Sequence, residues 1–265
     1  MQSSLLRSTV IVLILIAAAL ITWYILKSPT TPPPPDFKAF AAGPERKQVF
    51  FQYFAPIIES ENQKILEQRE RVYALMNESQ YSSRELSYLS ELAEQYYLED
   101  FSHENEDHWQ TLLRRIDYIP PSLALAQAAN ESAWGTSRFA TEGNNFFGQW
   151  CFSEGCGLVP RDRGAGQIHE VATFDSAQES VERYLLNLNR HDAYTKLRKI
   201  RESVRDSEAQ LKGTALLPGL EKYSERGVHY MNELNDMIRV NKLAEYDVNF
   251  ATLYITEEAS DENQG

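Results

Sequence analysis

Residues 121–148 of the chain read PSLALAQAANESAWGTSRFATEGNNFFG. The segment begins with Pro121, a residue tolerated in the first turn of a helix, and alanine fills four of the next eight positions. Small side chains let neighbouring backbones approach closely, so we predict a buried central helix from Pro121 to Ser132. The polar residues Asn130-Glu131-Ser132 stand at the end of that helix.

Glu131 lies where the predicted helix ends, three residues before Trp134. A carboxylate at a helix C-terminus meets the negative end of the helix dipole, and packing beside an indole removes water from it. Both effects favour the protonated form. A carboxyl group that keeps its proton near neutral pH can donate it to a glycosidic oxygen as the bond breaks. On composition alone the alternative, a solvated helix-end residue without a chemical role, stays open.

The residues that follow Glu131 narrow this choice. Residues 131–137 read ESAWGTS, and residues 144–148 read NNFFG. This pairing resembles the bacterial N-acetylglucosaminidase family that cuts peptidoglycan, glycoside hydrolase family 73. The family pattern is E-S-x-W-G-x-S followed by N-N-L-F-G, and Phe146 here replaces the leucine. The resemblance covers about residues 109–237, with weaker similarity back to about Pro44.

The resemblance implies a lysozyme-like helical lobe, a β-lobe and a groove between them for a glycan strand. It implies that Glu131 is the general acid and that Tyr223 lines the site opposite it. The substrate-binding residues that it implies are Trp134, Asn145, Phe147, Gly148 and Tyr230. The aromatic rings among them either stack on sugar faces or pack in the core, and for Trp134 both roles stay open.

A glycosidase normally needs a second group, either a nucleophile about 5–5.5 Å from the acid or a base further away that holds water. Members of the family often carry a second acidic residue in the β-lobe, upstream of the phenylalanine that matches Phe174. Asp162 is the carboxylate nearest that position, while Glu154 and Glu170 are off register. The substrate's own 2-acetamido group is the alternative, so the stereochemical outcome stays open.

Cys151 and Cys156 flank a short turn that contains glycine. In an oxidising compartment the pair would close a small loop, and we predict a disulfide. Free thiols are one alternative. A zinc site with His169 as third ligand is another, although no fourth ligand has the expected spacing. We therefore predict no metal and no cofactor.

Around the central segment the sequence predicts a mainly helical α+β fold. Between Pro44 and Leu98 apolar residues recur at three- and four-residue steps, and Ser82 to Glu85 resembles a capping box that opens a second helix. Strand-like runs after Gly148 predict a small β-hairpin lobe. Further helices are predicted at residues 176–189, 192–202, 207–217 and 228–244.

Residues 9–26 are eighteen consecutive uncharged residues, which as a helix would span about 27 Å of hydrocarbon. A cleaved secretory signal usually has an apolar core of only about 7–15 residues, so we predict an uncleaved signal anchor. We expect a single-pass protein of the bacterial inner membrane whose catalytic domain faces the periplasm. The predicted parts are a cytoplasmic tail (1–8), a transmembrane anchor (9–26), a Pro-rich stalk (27–43), an acidic helical segment (44–106), a glucosaminidase domain (107–254) and an acidic disordered tail (255–265).

With a net charge of −12 and a pI near 5.0, the chain lacks the positive charge that binding to a nucleic acid requires, so no nucleic-acid partner is predicted. Residues 108–254 carry a formal charge of only −2, which suits an anionic glycan whose carboxylates Arg161, Arg163 and Arg226 could meet. We therefore predict hydrolysis of the β-1,4 bond after N-acetylglucosamine in peptidoglycan. A lytic transglycosylase that gives 1,6-anhydro products and a catalytically silent wall-binding scaffold are the alternatives. The sequence identifies no protein partner.

Overall fold

Helices form most of the structure, a computed structural model that describes residues 31–161, 163–164 and 166–254. The helices are α1 (Pro44–Met76), α2 (Ser83–Gln95), α3 (Glu106–Arg115), α4 (Pro121–Glu131), α5 (Arg138–Gly143), α6 (Ala177–Arg190), α7 (Thr195–Asp206), α8 (Gly213–Leu216), α9 (Val228–Val240) and α10 (Ala244–Tyr254). The strands are β1 (Trp150–Cys151), β2 (Gly157–Leu158) and β3 (Glu170–Ala172). The prediction of a mainly helical α+β fold is confirmed.

Helix α4 is the buried centre of the helical part. Pro121 occupies its first turn, and every residue from Pro121 to Ala129 is buried. Helices α1, α8, α9 and α10 all pack against it. Its alanines allow this close approach, and the predicted central helix is confirmed.

The segment before α4 belongs to the same hydrophobic core. Helix α1 is 33 residues long and packs against α4 and α6. Helix α2 begins with the predicted capping box, in which Ser82 and Glu85 bond each other's backbone amides. Phe37, near the end of the predicted stalk, is only 2% exposed, and its ring centroid lies 5.2 Å from that of Phe50 in α1. A free stalk therefore ends before Phe37 and does not reach residue 43.

The strands form one antiparallel sheet in the order β1-β3-β2. Trp150 pairs with Val171 on one side of β3, and Leu158 pairs with Val171 on the other. The predicted hairpin lobe is therefore a three-stranded sheet in which the last strand is central. Cys151 and Cys156 are bonded to each other, and their Cα atoms lie 6.2 Å apart. This disulfide closes the connection between the two outer strands.

Two of the predicted helices differ from the structure. No helix extends from residue 207 to 217, because α7 continues to Asp206 and the chain then turns before the short α8. Glu208 explains the error, because its φ of 53° is a left-handed conformation through which a helix does not continue. The last predicted helix, 228–244, ends instead at Val240 as α9, and Lys242 has a φ of 54° before the further helix α10 begins at Ala244. The spacing of apolar residues in the sequence does not mark this break between the two helices.

Several predicted segments lie outside the described residues. They are the cytoplasmic tail at 1–8, the transmembrane anchor at 9–26, the first four residues of the stalk (27–30), the acidic tail and Asp162. Within residues 31–161, 163–164 and 166–254, no helix has both the length and the apolar character that a membrane crossing requires.

Candidate active site

The end of α4 is shaped by the ESAWGTS motif. The Ser132 hydroxyl donates to the carbonyl oxygen of Ala128 at 2.6 Å and accepts from the amide of Gly135 at 2.8 Å. Gly135 has a φ of 76°, and a Cβ atom there would lie 2.2 Å from the Phe37 ring. Ser137 then caps α5 by accepting from the amide of Ala140. The small motif residues therefore hold the turn, and Glu131 is the residue of this motif that lines the cleft.

Glu131 lies on the wall of an open cleft of about 670 Å³. The described residues that line the cleft are Glu131, Phe147, Gly148, Gln149, Trp150, Asn187, Tyr194, Lys222, Tyr223, Ser224, Glu225 and Arg226. Gly148 has a φ of 65°, and a Cβ atom added there would lie 3.6 Å from the Glu131 Oε2 atom. The glycine of NNFFG thus allows the chain to pass close beside the carboxyl group.

Burial raises the pKa of the Glu131 carboxyl group above its usual value. Hydrogen bonds from Tyr230 and Asn130 oppose this effect because they favour the charged form, and the positive charge of Arg226 acts in the same direction. Desolvation is the largest cause, so the carboxyl group holds its proton to a higher pH than an exposed glutamate does.

The Trp134 indole packs into the core. Its ring centroid lies 5.3 Å from that of Phe51 and 5.8 Å from that of Phe50, both in edge-on contact on α1. The Lys47 ammonium group lies 4.9 Å from the ring centroid. Of the two roles predicted for Trp134, the geometry favours packing over sugar stacking.

Three tyrosines surround the carboxyl group of Glu131. Tyr223 donates a hydrogen bond to the carbonyl oxygen of Phe147 at 2.9 Å and stacks on Tyr230 with ring centroids 5.6 Å apart. Burial raises the pKa of Tyr194 to about 12 and raises those of Tyr223 and Tyr230 well above the ordinary phenol value. Their hydroxyl groups therefore stay protonated, and near neutral pH they act as hydrogen-bond donors and not as bases.

The structure brings only part of the predicted binding set to the cleft. Phe147, Gly148 and Tyr223 line it, whereas Tyr230 is 1% exposed, does not line the cleft and contacts the Glu131 carboxyl group from the core side. Asn145 is also buried, and its amide donates to the carbonyl oxygens of Gln149 and Ala172 at 2.9 and 2.8 Å. Asn145 therefore fixes the NNFFG turn to β3 instead of facing the substrate.

Comparisons with known proteins agree with the motif. A family model named Glucosaminidase, described as mannosyl-glycoprotein endo-beta-N-acetylglucosaminidase, matches residues 106–243. The protein Bax of Escherichia coli (strain K12) is 34% identical over 207 residues, which cover 78% of this chain and 74% of Bax. The chain belongs to the glucosaminidase family. The family resemblance is thereby confirmed. Membership of this family makes the protein a glycoside hydrolase by class.

A solved structure is also similar to this glucosaminidase. It is the catalytic domain of the autolysin Auto from Listeria monocytogenes, which is 18% identical and superposes with a TM-score of 0.43. The match covers 79% of this chain and 92% of that chain.

Trp150 and Glu225 are among the cleft residues that the sequence analysis did not identify. Trp150 is 59% exposed, and its ring stacks on His169 with centroids 4.2 Å apart. Glu225 is exposed and, apart from Glu131, is the one carboxylate among the described cleft residues. Neither residue stands in a recognisable motif, although a tryptophan at a strand edge is a signal that could have identified Trp150.

The β-lobe carboxylates have separate surroundings. Glu170 is buried, and its oxygens accept from the amides of Gly155 and Gly157 at 3.2 and 2.8 Å, so it holds the disulfide loop. Its carboxylate lies near the two cysteine sulfurs, but sulfurs bonded to each other cannot bind a metal as thiolates. His169 instead stacks on Trp150. These contacts give the zinc alternative no support.

The three predicted arginines also differ in position. Arg226 lines the cleft and forms an ion pair with Glu233 at 2.7 Å. Arg163 donates to the carbonyl oxygen of His169 at 3.3 Å, and Arg161 is exposed. Lys222 joins Arg226 in the cleft lining, so positive charge is present beside Glu131.

Proposed function

We propose that this glucosaminidase hydrolyses the β-1,4 bond that follows N-acetylglucosamine in peptidoglycan, with Glu131 as the general acid. The observation that carries the proposal is the position of Glu131, whose carboxyl group is shielded enough to favour its proton and yet lies on the wall of an open cleft. An open cleft suits a polymer chain. The positive charges of Lys222 and Arg226 in the cleft lining favour an anionic glycan as substrate, and peptidoglycan is anionic because its muramic acid and peptide groups carry carboxylates.

In this proposal the Glu131 proton passes to the glycosidic oxygen while the bond from that oxygen to C1 breaks. Water then adds to C1 and gives up a proton to an acceptor. Asp162 remains a candidate for that acceptor, and Glu225 is a second because it lines the same cleft. Loss of turnover in Asp162→Asn or in Glu225→Gln would identify the acceptor. Retained turnover in both variants would favour the substrate's acetamido group as an internal nucleophile.

Digestion of purified sacculi tests the proposed reaction. Wild-type protein should release fragments that end in reducing N-acetylglucosamine, and Glu131→Gln should lower the rate at least about 100-fold while the fold is retained. Glu94→Gln is the matched control, because it changes an exposed glutamate on α2. Fragments that end in 1,6-anhydro-muramic acid would indicate a lytic transglycosylase. Binding to sacculi without released fragments would indicate a scaffold, and turnover of Glu131→Gln within a few-fold of wild type would contradict the role of Glu131.

We also propose that residues 9–26 anchor the protein in the bacterial inner membrane, with the remainder in the periplasm. Eighteen uncharged residues support an anchor, and the disulfide between Cys151 and Cys156 is typical of an oxidising compartment. After a carbonate wash, full-length protein should stay in the membrane pellet, whereas the double variant Leu13→Arg with Leu15→Arg should be released. Release of both proteins would contradict the anchor.

A further inference from the structure

A buried glutamine lies one helical turn before Glu131. Gln127 and Glu131 are four residues apart on α4, so their side chains lie on the same face of the helix. Gln127 is fully buried, and both ends of its amide are hydrogen-bonded. A buried amide with two fixed partners on other helices has a defined orientation.

The hydrogen bonds of Gln127 lead to the carboxyl group. The Tyr184 hydroxyl on α6 donates to Gln127 Oε1 at 2.6 Å. Gln127 Nε2 donates to the Tyr230 hydroxyl oxygen on α9 at 2.9 Å. Tyr230 in turn forms a side-chain hydrogen bond with Glu131. Three helices therefore contribute to one chain of hydrogen bonds that ends at Glu131.

The chemistry of each group sets the direction of this chain. An amide has one accepting and one donating end, so a Tyr184 proton on Oε1 turns the NH₂ group toward Tyr230. The Tyr230 oxygen then accepts from Gln127, and its single proton is left for Glu131. We propose that Gln127 is a positioning residue that holds the Tyr230 hydroxyl as a donor to the Glu131 carboxyl group. The catalytic consequence rests on the proposed role of Glu131 as the acid.

A donor fixed in this way favours the carboxylate and limits how far burial raises the pKa of Glu131. The other groups that face the carboxyl group are neutral tyrosines, one asparagine amide and one ion pair. They are Tyr184, Tyr194, Tyr223, Asn130, Arg226 and Glu233. None of them bonds to the Gln127 amide except Tyr184, so a change at Gln127 acts on Glu131 through Tyr230.

Carboxyl-carbon NMR titration of Glu131 in the full-length protein tests this inference, with Glu131→Gln used to assign the signal. In Gln127→Met the Tyr230 hydroxyl can turn and accept from the protonated acid, so the pKa of Glu131 should rise by about half a unit or more. Tyr184→Phe should raise it in the same direction, because the amide can then turn its oxygen toward Tyr230. Tyr230→Phe should give the largest rise. A purely structural role of Gln127 would lower the thermal midpoint without moving this pKa.

Tyr96→Phe is the matched control. Tyr96 is equally buried, and its hydroxyl donates to the Oε1 atom of another glutamine, Gln68, at 3.0 Å. This variant should leave the Glu131 titration unchanged. The inference is overturned if a folded Gln127→Met titrates like wild type. Should Gln127→Met fail to fold, an unchanged titration in Tyr184→Phe overturns the inference equally. The titration does not depend on turnover, so inactivity of the wild-type protein on sacculi would refute the proposed function and leave this result standing.

Discussion

The two walls of the cleft differ in how firmly their residues are held. On the helical wall Gln127 and Tyr230 are almost completely buried, and each polar group is bonded to a group on another helix. The β-lobe has strands of only two or three residues, and Trp150, Phe152 and Ile168 are 59, 66 and 68% exposed. The rigid wall carries the acid, whose proton must be positioned accurately. The looser wall presents exposed rings, which can adjust to a polymer.

The disulfide is the main cross-link of the looser wall, so its removal should have the largest effect on kcat/KM among the changes that spare Glu131. Opening the small loop costs about 2 kcal/mol of folding free energy in the chain-entropy model. The double variant Cys151→Ser with Cys156→Ser should lower kcat/KM about tenfold, because the cleft-lining Gly148 to Trp150 segment leads directly into β1. Chemical denaturation and sacculus digestion measure the two effects.

Reduction of the wild-type protein is the control for this variant, since it breaks the same bond without changing the sequence otherwise. It should produce the same losses. If neither treatment changes the thermal midpoint or the rate, the β-lobe does not depend on its cross-link and the contrast between the walls is wrong.

Two tryptophans sharpen the comparison, because Trp150 lines the cleft while Trp134 packs in the core against α1. Trp150→Ala should raise KM for glycan fragments about five- to tenfold with little loss of stability, because it removes an exposed ring that can stack on a sugar.

Trp134→Ala should do the opposite. It should lower the free energy of unfolding by about 3 kcal/mol while KM stays unchanged, because its ring packs on α1. A raised KM in Trp134→Ala would assign the stacking role to that residue instead.

Tyr223 joins the helical wall to the NNFFG turn, and its hydroxyl should matter less than the disulfide or Trp150. Tyr223→Phe removes the hydrogen bond to the Phe147 carbonyl but keeps the ring that stacks on Tyr230. A neutral hydrogen bond contributes about 1 kcal/mol, so the rate should fall a few-fold while the protein stays folded. An unchanged rate at an unchanged fold would reduce Tyr223 to a packing residue.

The parts of the site that sequence could predict are those fixed by neighbouring residues. The alanine-rich helix and the glutamate at its end follow from residues 121–131, and the structure places both where they were expected. The long-range contacts were not predictable, because nothing near Trp134 in the sequence indicates that α1 covers its ring. The same holds for the partners of Gln127, which lie on α6 and α9. Strand order also escaped prediction, since pairs of two-residue strands carry no register signal.

The smallest expected effect is a pH-dependent gain of stability in Glu131→Gln. Burial raises the pKa of Glu131 in the folded protein, so the stability that comes from this proton is fully present below the unfolded pKa and is lost as pH rises through the folded pKa. Glutamine does not titrate. The thermal midpoint of the variant should therefore match wild type at about pH 4 and exceed it at pH 8, while Glu94→Gln gives the baseline for an exposed site. The difference in thermal midpoint between Glu131→Gln and wild type could instead stay constant from pH 4 to pH 8. That result would mean that the helical wall does not shield the carboxyl group from water. The contrast between the two walls would then lose its electrostatic basis.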